Sequence, residues 1–141
     1  MKADAKTTAE VQATIKKFTD AYQARRLNDV MDCFAPDADV MIYGTGADEK
    51  RIGPEQIRAQ VERDWAQSDS LSLSFDWSSI SAAGPVAWAA MDGSFKVRAG
   101  GQEMTVPARV SLVLENRGGR WVVVHSHFST PAAGQQEGHS F

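Results

Sequence analysis

Arg120-Trp121-Val122-Val123-Val124-His125-Ser126-His127-Phe128-Ser129-Thr130-Pro131 decides how this chain of 141 residues is built. Trp121 to Val124 is an unbroken run of aromatic and β-branched residues, and Ser129-Thr130-Pro131 closes the stretch. Such a run reads as a central strand with both faces covered. His125 and His127, at i and i+2, share one face of it, and Ser126 and Phe128 share the other. A strand apolar on both sides needs cover on both, so the elements before it are expected to supply that cover.

Working backwards, Asn116-Arg117-Gly118-Gly119 makes a hairpin turn from a strand running from Met104 to Glu115. Val106, Val110, Leu112 and Leu114 form one of its faces; Thr105, Arg109, Ser111 and Val113 form the other. Ala99-Gly100-Gly101 and Gly84-Pro85 bound another strand, in which Gly93 separates Val86–Met91 from Phe95 and Val97. A glycine inside a strand marks a bend. Leu71, Leu73, Phe75 and Trp77 alternate with Ser72, Ser74, Asp76 and Ser78, the pattern of a half-buried strand. The apolar phase then slips to Ile80 and Ala82, which predicts a bulge near Ser78-Ser79.

The N-terminal half is helical. Thr7-Thr8-Ala9-Glu10 reads as a capping box, and Val11, Ile15, Phe18 and Tyr22 follow as one helical stripe to about Arg26. Asn28 opens a short helix ended by Pro36, and Asp37 to Gly44 reads as a strand. Gly44 to Arg51 reads as a loop. Gly53-Pro54-Glu55 starts a third helix with the stripe Ile57, Val61 and Trp65.

The length is that of one domain. Residues 1–6 are expected to be an N-terminal extension, 7–131 the domain, and 132–141 a polar tail. With 15 basic and 18 acidic residues, well mixed, nothing forms the basic stripe that nucleic-acid binding requires. No stretch is apolar for the roughly 18–20 residues of a membrane span, and the first six residues are too charged for a signal peptide. Cys33 is the only cysteine, so no internal disulfide is expected, and a reducing cytoplasmic setting is.

Three motifs make the order of elements specific: Phe34-Ala35-Pro36-Asp37-Ala38-Asp39-Val40, the helix start Gly53-Pro54-Glu55-Gln56-Ile57, and the terminal Arg120-Trp121 with His125-Ser126-His127-Phe128-Ser129. Together they resemble the nuclear-transport-factor-2-like superfamily in its SnoaL-like branch, over roughly Thr8 to Pro131. The terminal motif, with Arg109-Val110 one strand earlier, is also similar to the association domain of calcium/calmodulin-dependent protein kinase II. The resemblance implies an α+β fold, a cone-shaped cystatin-like roll in which a curved antiparallel sheet wraps a long N-terminal helix and leaves a pocket at its wide end. The superfamily holds enzymes, carriers and oligomerisation modules, so it fixes fold better than function.

The resemblance to ketosteroid isomerase within that superfamily implies a base two places after Val40. That place is Ile42, which has no proton to move, so isomerase chemistry of that type is not expected. Phe18, Tyr22, Trp65, Trp88, Ser126 and Phe128 are the expected pocket residues, with Arg109 as polar anchor. A guanidinium in mid-strand needs a carboxylate, water or ligand; a core ion pair is the other reading of Arg109. His125 and His127 read either as hydrogen-bonded histidines at a dimer interface or as a pocket acid and base. Metal binding lacks a third ligand, so no metal site and no cofactor is expected.

Which face the histidines occupy depends on the hairpin. A two- or four-residue loop puts Arg109 with Ser126 and Phe128, and the histidines with Val110, Leu112 and Leu114. A three-residue loop with a bulge puts Arg109 with the histidines. The first is expected, since it keeps one face continuously apolar. The expected partner is a small apolar or amphipathic ligand with an anionic or carbonyl end, bound by a SnoaL-like protein or enzyme of unknown reaction. The alternative is a non-catalytic association module. Either way a homodimer through the outer face of the sheet is expected, because that face would expose valine, leucine and Trp121.

Overall fold

The computed structural model describes residues 1–141. Helix α1 (Ala5–Gln23) leads to a short helix α2 (Leu27–Asp32), two short strands β1 (Met41–Tyr43) and β2 (Lys50–Ile52), and helix α3 (Pro54–Ala66). Four long strands follow: β3 (Ser70–Ala83), β4 (Val86–Ala99), β5 (Gln102–Arg117) and β6 (Arg120–Ser129). They form one six-stranded sheet in the order β2-β1-β6-β5-β4-β3. Only β1 and β6 run parallel. The sheet curves around the helices, which pack on its concave face, so the fold is an α+β roll. No helix is long and apolar enough to cross a membrane.

α3 starts where Gly53-Pro54 predicts, with proline in its first turn and Ile57 and Val61 buried. α1 starts earlier than its threonines suggest. Asp4, not Thr7 or Thr8, is the N-cap, and its carboxylate accepts from the Thr7 amide at 2.7 Å. A carboxylate at this position also suits the positive end of the helix dipole. Residues 1–3 are not a free extension either: Ala3 N donates to Ile80 O, Ala82 N donates to Met1 O, and Ala3 is buried. The loop expected from Gly44 to Arg51 ends in β2, which pairs antiparallel with β1.

Two single-residue bulges set the faces of the sheet. In β3 the extra residue is Asp76, not Ser78 or Ser79: Phe75 pairs with Gly93 and Trp77 with Asp92. Trp77 is therefore turned away from Leu71 and Leu73 and is 53% exposed. Opposite the bulge, a Cβ on Gly93 would lie 1.9 Å from the Ser74 carbonyl oxygen, so only glycine allows this close approach.

In β6 the hairpin is a two-residue turn, one of the two expected lengths, with Gly118-Gly119 between the paired Arg117 and Arg120. Yet Leu114 pairs with Val123 and Val113 with His125, leaving Val124 as an unpaired extra residue. Beyond that bulge β6 keeps its expected faces, and the rows of β5 are exchanged against it. His125 and His127 join Arg109, Ser111 and Val113 on the outer side, and Ser126 and Phe128 join Val110 and Leu112 on the inner side. Trp121, expected outside, is inside and buried, with its indole N–H donating to Glu10 Oε2 at 2.8 Å.

Candidate functional site

The concave face carries the core, in which Val11, Val30, Ile57 and Leu114 are fully buried. Toward one end the packing opens into a cavity of about 350 Å³ between α1, α3, the β1–β2 loop and the sheet. That volume is at the small end of the range for small-molecule sites. Leu71 and Leu73 of β3, Phe95 and Val97 of β4, Val106 of β5 and Phe128 of β6 form an apolar wall. Phe95 and Phe128 meet at 6.2 Å between ring centres. α1 contributes Phe18 and Tyr22, stacked at 5.6 Å. Ile42 also lines the cavity, so no carboxylate stands in that position on β1.

One corner is polar. Tyr22 Oη donates to Asp64 Oδ2 at 2.6 Å, and Gln60 Nε2 lies 2.7 Å from Asp64 Oδ1. Gln60 Nε2 also donates to Glu49 Oε1 at 2.9 Å, while Gln60 Oε1 accepts from Arg51 Nε at 2.8 Å. Arg63 binds Asp48 at 2.7 Å and Glu49 at 3.2 Å. Burial pushes the Asp64 carboxyl above its ordinary range, against the hydrogen bonds from Tyr22 and Gln60 that favour its charged form. Burial, with Asp64 alongside, pushes the Tyr22 phenol up far enough to keep it a donor throughout the physiological range.

The sequence-predicted site residues divide. Phe18, Tyr22 and Phe128 are on the cavity wall. Trp65 is one layer behind, its ring 6.0 Å from Tyr22 and its N–H donating to Tyr22 O. Ser126 is fully buried in a chamber of about 20 Å³ behind Phe18, Leu73 and Phe128, and its hydroxyl has no partner. Trp88 and Arg109 are on the outer face, Trp88 opposite Val113 and Arg109 opposite Asp92 and Ser129. Arg109 is exposed and donates only to Thr130 O, at 3.4 Å. It is neither a core ion pair nor a wall of the cavity, because Val110, Leu112 and Leu114 of the same strand face the core and leave its row on the outer side. His125 and His127 pair with Val113 and Ser111 of that outer row, so the cavity does not receive them; His127 lies 5.3 Å from the Tyr43 ring.

Asp64 and Gln60 escaped the sequence reading. The signal was present in α3: Gln60 and Asp64 occur three and seven places after Ile57, on its apolar stripe. A polar residue on a buried stripe needs a buried partner.

The SnoaL-like domain family profile matches residues 11–133. Among curated proteins none matches the sequence. Among solved structures, a nuclear-transport-factor-2-like superfamily protein from Salmonella enterica superposes with a TM-score of 0.84 at 21% identity, covering 97% of this chain and 100% of that one. A Xanthomonas campestris protein named for the calcium/calmodulin-dependent protein kinase II association domain gives 0.77 at 24% identity, covering 92% and 93%. A Nostoc punctiforme protein described as having a cystatin-like fold gives 0.75 at 14%, covering 94% and 97%. At these identities the likeness is one of fold. The profile covers most of the chain, and by it this protein belongs to the SnoaL-like domain family.

Proposed function

We propose that this SnoaL-like protein binds a small, mostly apolar molecule in the cavity between α1, α3 and the sheet. The observation that carries the reading is an apolar cavity of about 350 Å³ with one polar corner, where the half-buried Asp64 meets Tyr22 and Gln60. Convergence of a few hydrogen-bonding groups on an otherwise apolar concavity is the signature of a small-molecule site. The apolar wall gives affinity through burial, and Asp64 fixes orientation by accepting from a ligand N–H or O–H. No arginine, lysine or histidine lines the cavity, so an anionic ligand end has no counter-charge there.

A thermal-shift screen of neutral, cationic and anionic aromatic compounds tests the reading, with Leu73→Trp as the control that fills the cavity. Binding by the wild type, lost in a folded Leu73→Trp variant, supports it. No stabilisation by any compound counts against it.

The outer face favours a second role, assembly with another copy of this chain. Trp77 is 53%, Tyr43 39% and Ile52 47% exposed on that side, next to half-buried Trp88, Val113 and His125. An apolar surface of this kind is hidden by pairing with its own copy across a two-fold axis. Light scattering at micromolar concentration should give twice the 15.3 kDa chain mass, and Trp88→Glu should halve it without unfolding. A wild-type mass of one chain would refute the dimer.

A further inference from the structure

The polar corner of the cavity has an imbalance of charge. Asp48, Glu49 and Asp64 are its carboxylates, and Arg51 and Arg63 are the guanidinium groups among them. Arg63 reaches both Asp48 and Glu49, and Arg51 is 3.8 Å from Asp48 while its Nε serves Gln60. Arg25, at the end of α1, spends its donors on the carbonyl oxygens of Trp65 and Ser68. Asp64 is left with a phenol and an amide but no cation in contact. It is half-buried at the edge of an apolar space, whereas Asp48 is exposed and Glu49 is bonded to Arg63.

From this arrangement, and resting on the reading of the cavity as a ligand site, we infer that the molecule taken in is an amine, its ammonium hydrogen-bonded to Asp64 and its apolar body against Phe18, Leu73, Phe95 and Phe128. Each oxygen of Asp64 accepts one bond, and a carboxylate has about four acceptor positions, so lone pairs remain for ammonium donors. A cation compensates the charge that burial leaves exposed to a low dielectric; a neutral ligand does not, and an anion adds repulsion from Asp64 and Glu49. Tyr22, bonded to the carboxylate, and Phe18, stacked on it, are rings against which a cation in this cavity can lie.

A second unmet group points to a ligand as well. Ser126 Oγ is fully buried and without a partner in the chamber of about 20 Å³ behind Phe18, Leu73 and Phe128, the side chains that line both spaces. A water in so small a space wants two or more polar neighbours. The other polar wall residue there, Thr14, donates its proton to Trp121 O, and no hydrogen bond joins its oxygen to Ser126. A ligand atom reaching past Phe128 would give the Ser126 hydroxyl its acceptor.

The test uses three probes of one shape: phenethylamine, phenethyl alcohol and phenylacetate, titrated into the intact protein by calorimetry at neutral pH. The amine is expected to bind about tenfold or more tightly than the alcohol, the scale of one charge-assisted hydrogen bond, and phenylacetate weakest. Asp64→Asn should bring the amine down to the level of the alcohol. In the wild type, amine affinity should fall as pH is lowered through the titration of Asp64, with proton uptake or release visible as buffer-dependent heat, while alcohol affinity stays flat. This profile needs no variant to fold. If alcohol and amine bind equally, or phenylacetate binds best, the amine assignment is overturned and the cavity remains a ligand site. If none of the three binds, the assignment and the cavity reading fall together.

Discussion

The two faces of this sheet are built from the same strands and do opposite things. On the concave face, Leu71, Leu73, Met91, Val110, Leu112 and Leu114 are all buried. On the convex face, Trp77, Ala90, Asp92, Arg109, Ser111 and His127 are all exposed. Both rows alternate residue by residue, so a single unpaired residue exchanges them from that point on. Asp76 and Val124 are those residues. The difference teaches that in a long-stranded sheet the identity of a face belongs to the pairing and not to the strand's own pattern.

The strongest way to break the comparison is to make equivalent truncations on both faces. Leu114→Ala, at a site with no exposure, should cost about 2–5 kcal/mol in urea unfolding. His127→Ala, on the other side, should stay within about 0.5 kcal/mol. Similar losses for the two would mean that the convex face is a covered core in the protein as measured. Gly93→Ala probes what lets β3 and β4 approach at the Asp76 bulge. Its new methyl would collide with the Ser74 carbonyl, and overpacking of this order costs about 1–3 kcal/mol. A neutral effect would show that the strands can part there without loss.

The smallest effect sharpens the exception on the concave side. Burial raises the Asp64 carboxyl above its unfolded value, so the folded state holds that proton more tightly. The stability this supplies is fully present below the unfolded value and is lost as pH rises through the folded one. Asp64→Asn should flatten that part of the stability–pH curve, read from melting temperatures across the acid range. An unchanged curve would mean that Asp64 is better solvated than its surroundings suggest.

Much of the fold was legible. Gly53-Pro54 gave the start of α3, the glycine pairs gave two of the hairpin turns, and the terminal motif gave a central strand. The faces were not, and the reason is physical. Leu71 to Trp77 alternates without a flaw, yet Trp77 points away from Leu71, because an extra residue changes pairing and leaves no mark in hydrophobic period. Val124 hides in the same way inside a run of valines that suits either face. Arg109 is therefore expected in the pocket but lies outside, while the histidines are outside as expected but beside Arg109 and Ser111 rather than beside Val110 and Leu112. Asp64 is a different case: it breaks the apolar stripe of α3 in plain view, and weighing charges on that stripe as heavily as charges on strands would have found it. The role of Met1 to Ala3 has no such signal, since pairing through backbone amides demands no particular side chains.

That short pairing at the start of the chain bears on how the protein stays dispersed. A sheet that is not closed has two rows of unpaired amides and carbonyls, each an invitation to a strand from another molecule. At one edge β2 is only three residues long and carries Lys50 and Arg51. At the other, β3 is fourteen residues long, a length that would template growth. Met1 to Ala3 occupies its far end, at Ile80 to Ala82. The rest is interrupted by the Asp76 bulge and carries serine at positions 70, 72 and 74. Growth by strand addition is thus blunted on both sides. Residues fused ahead of Met1 would bear directly on that guarded edge, and shortening the chain by its first three residues would be felt first as a tendency to aggregate.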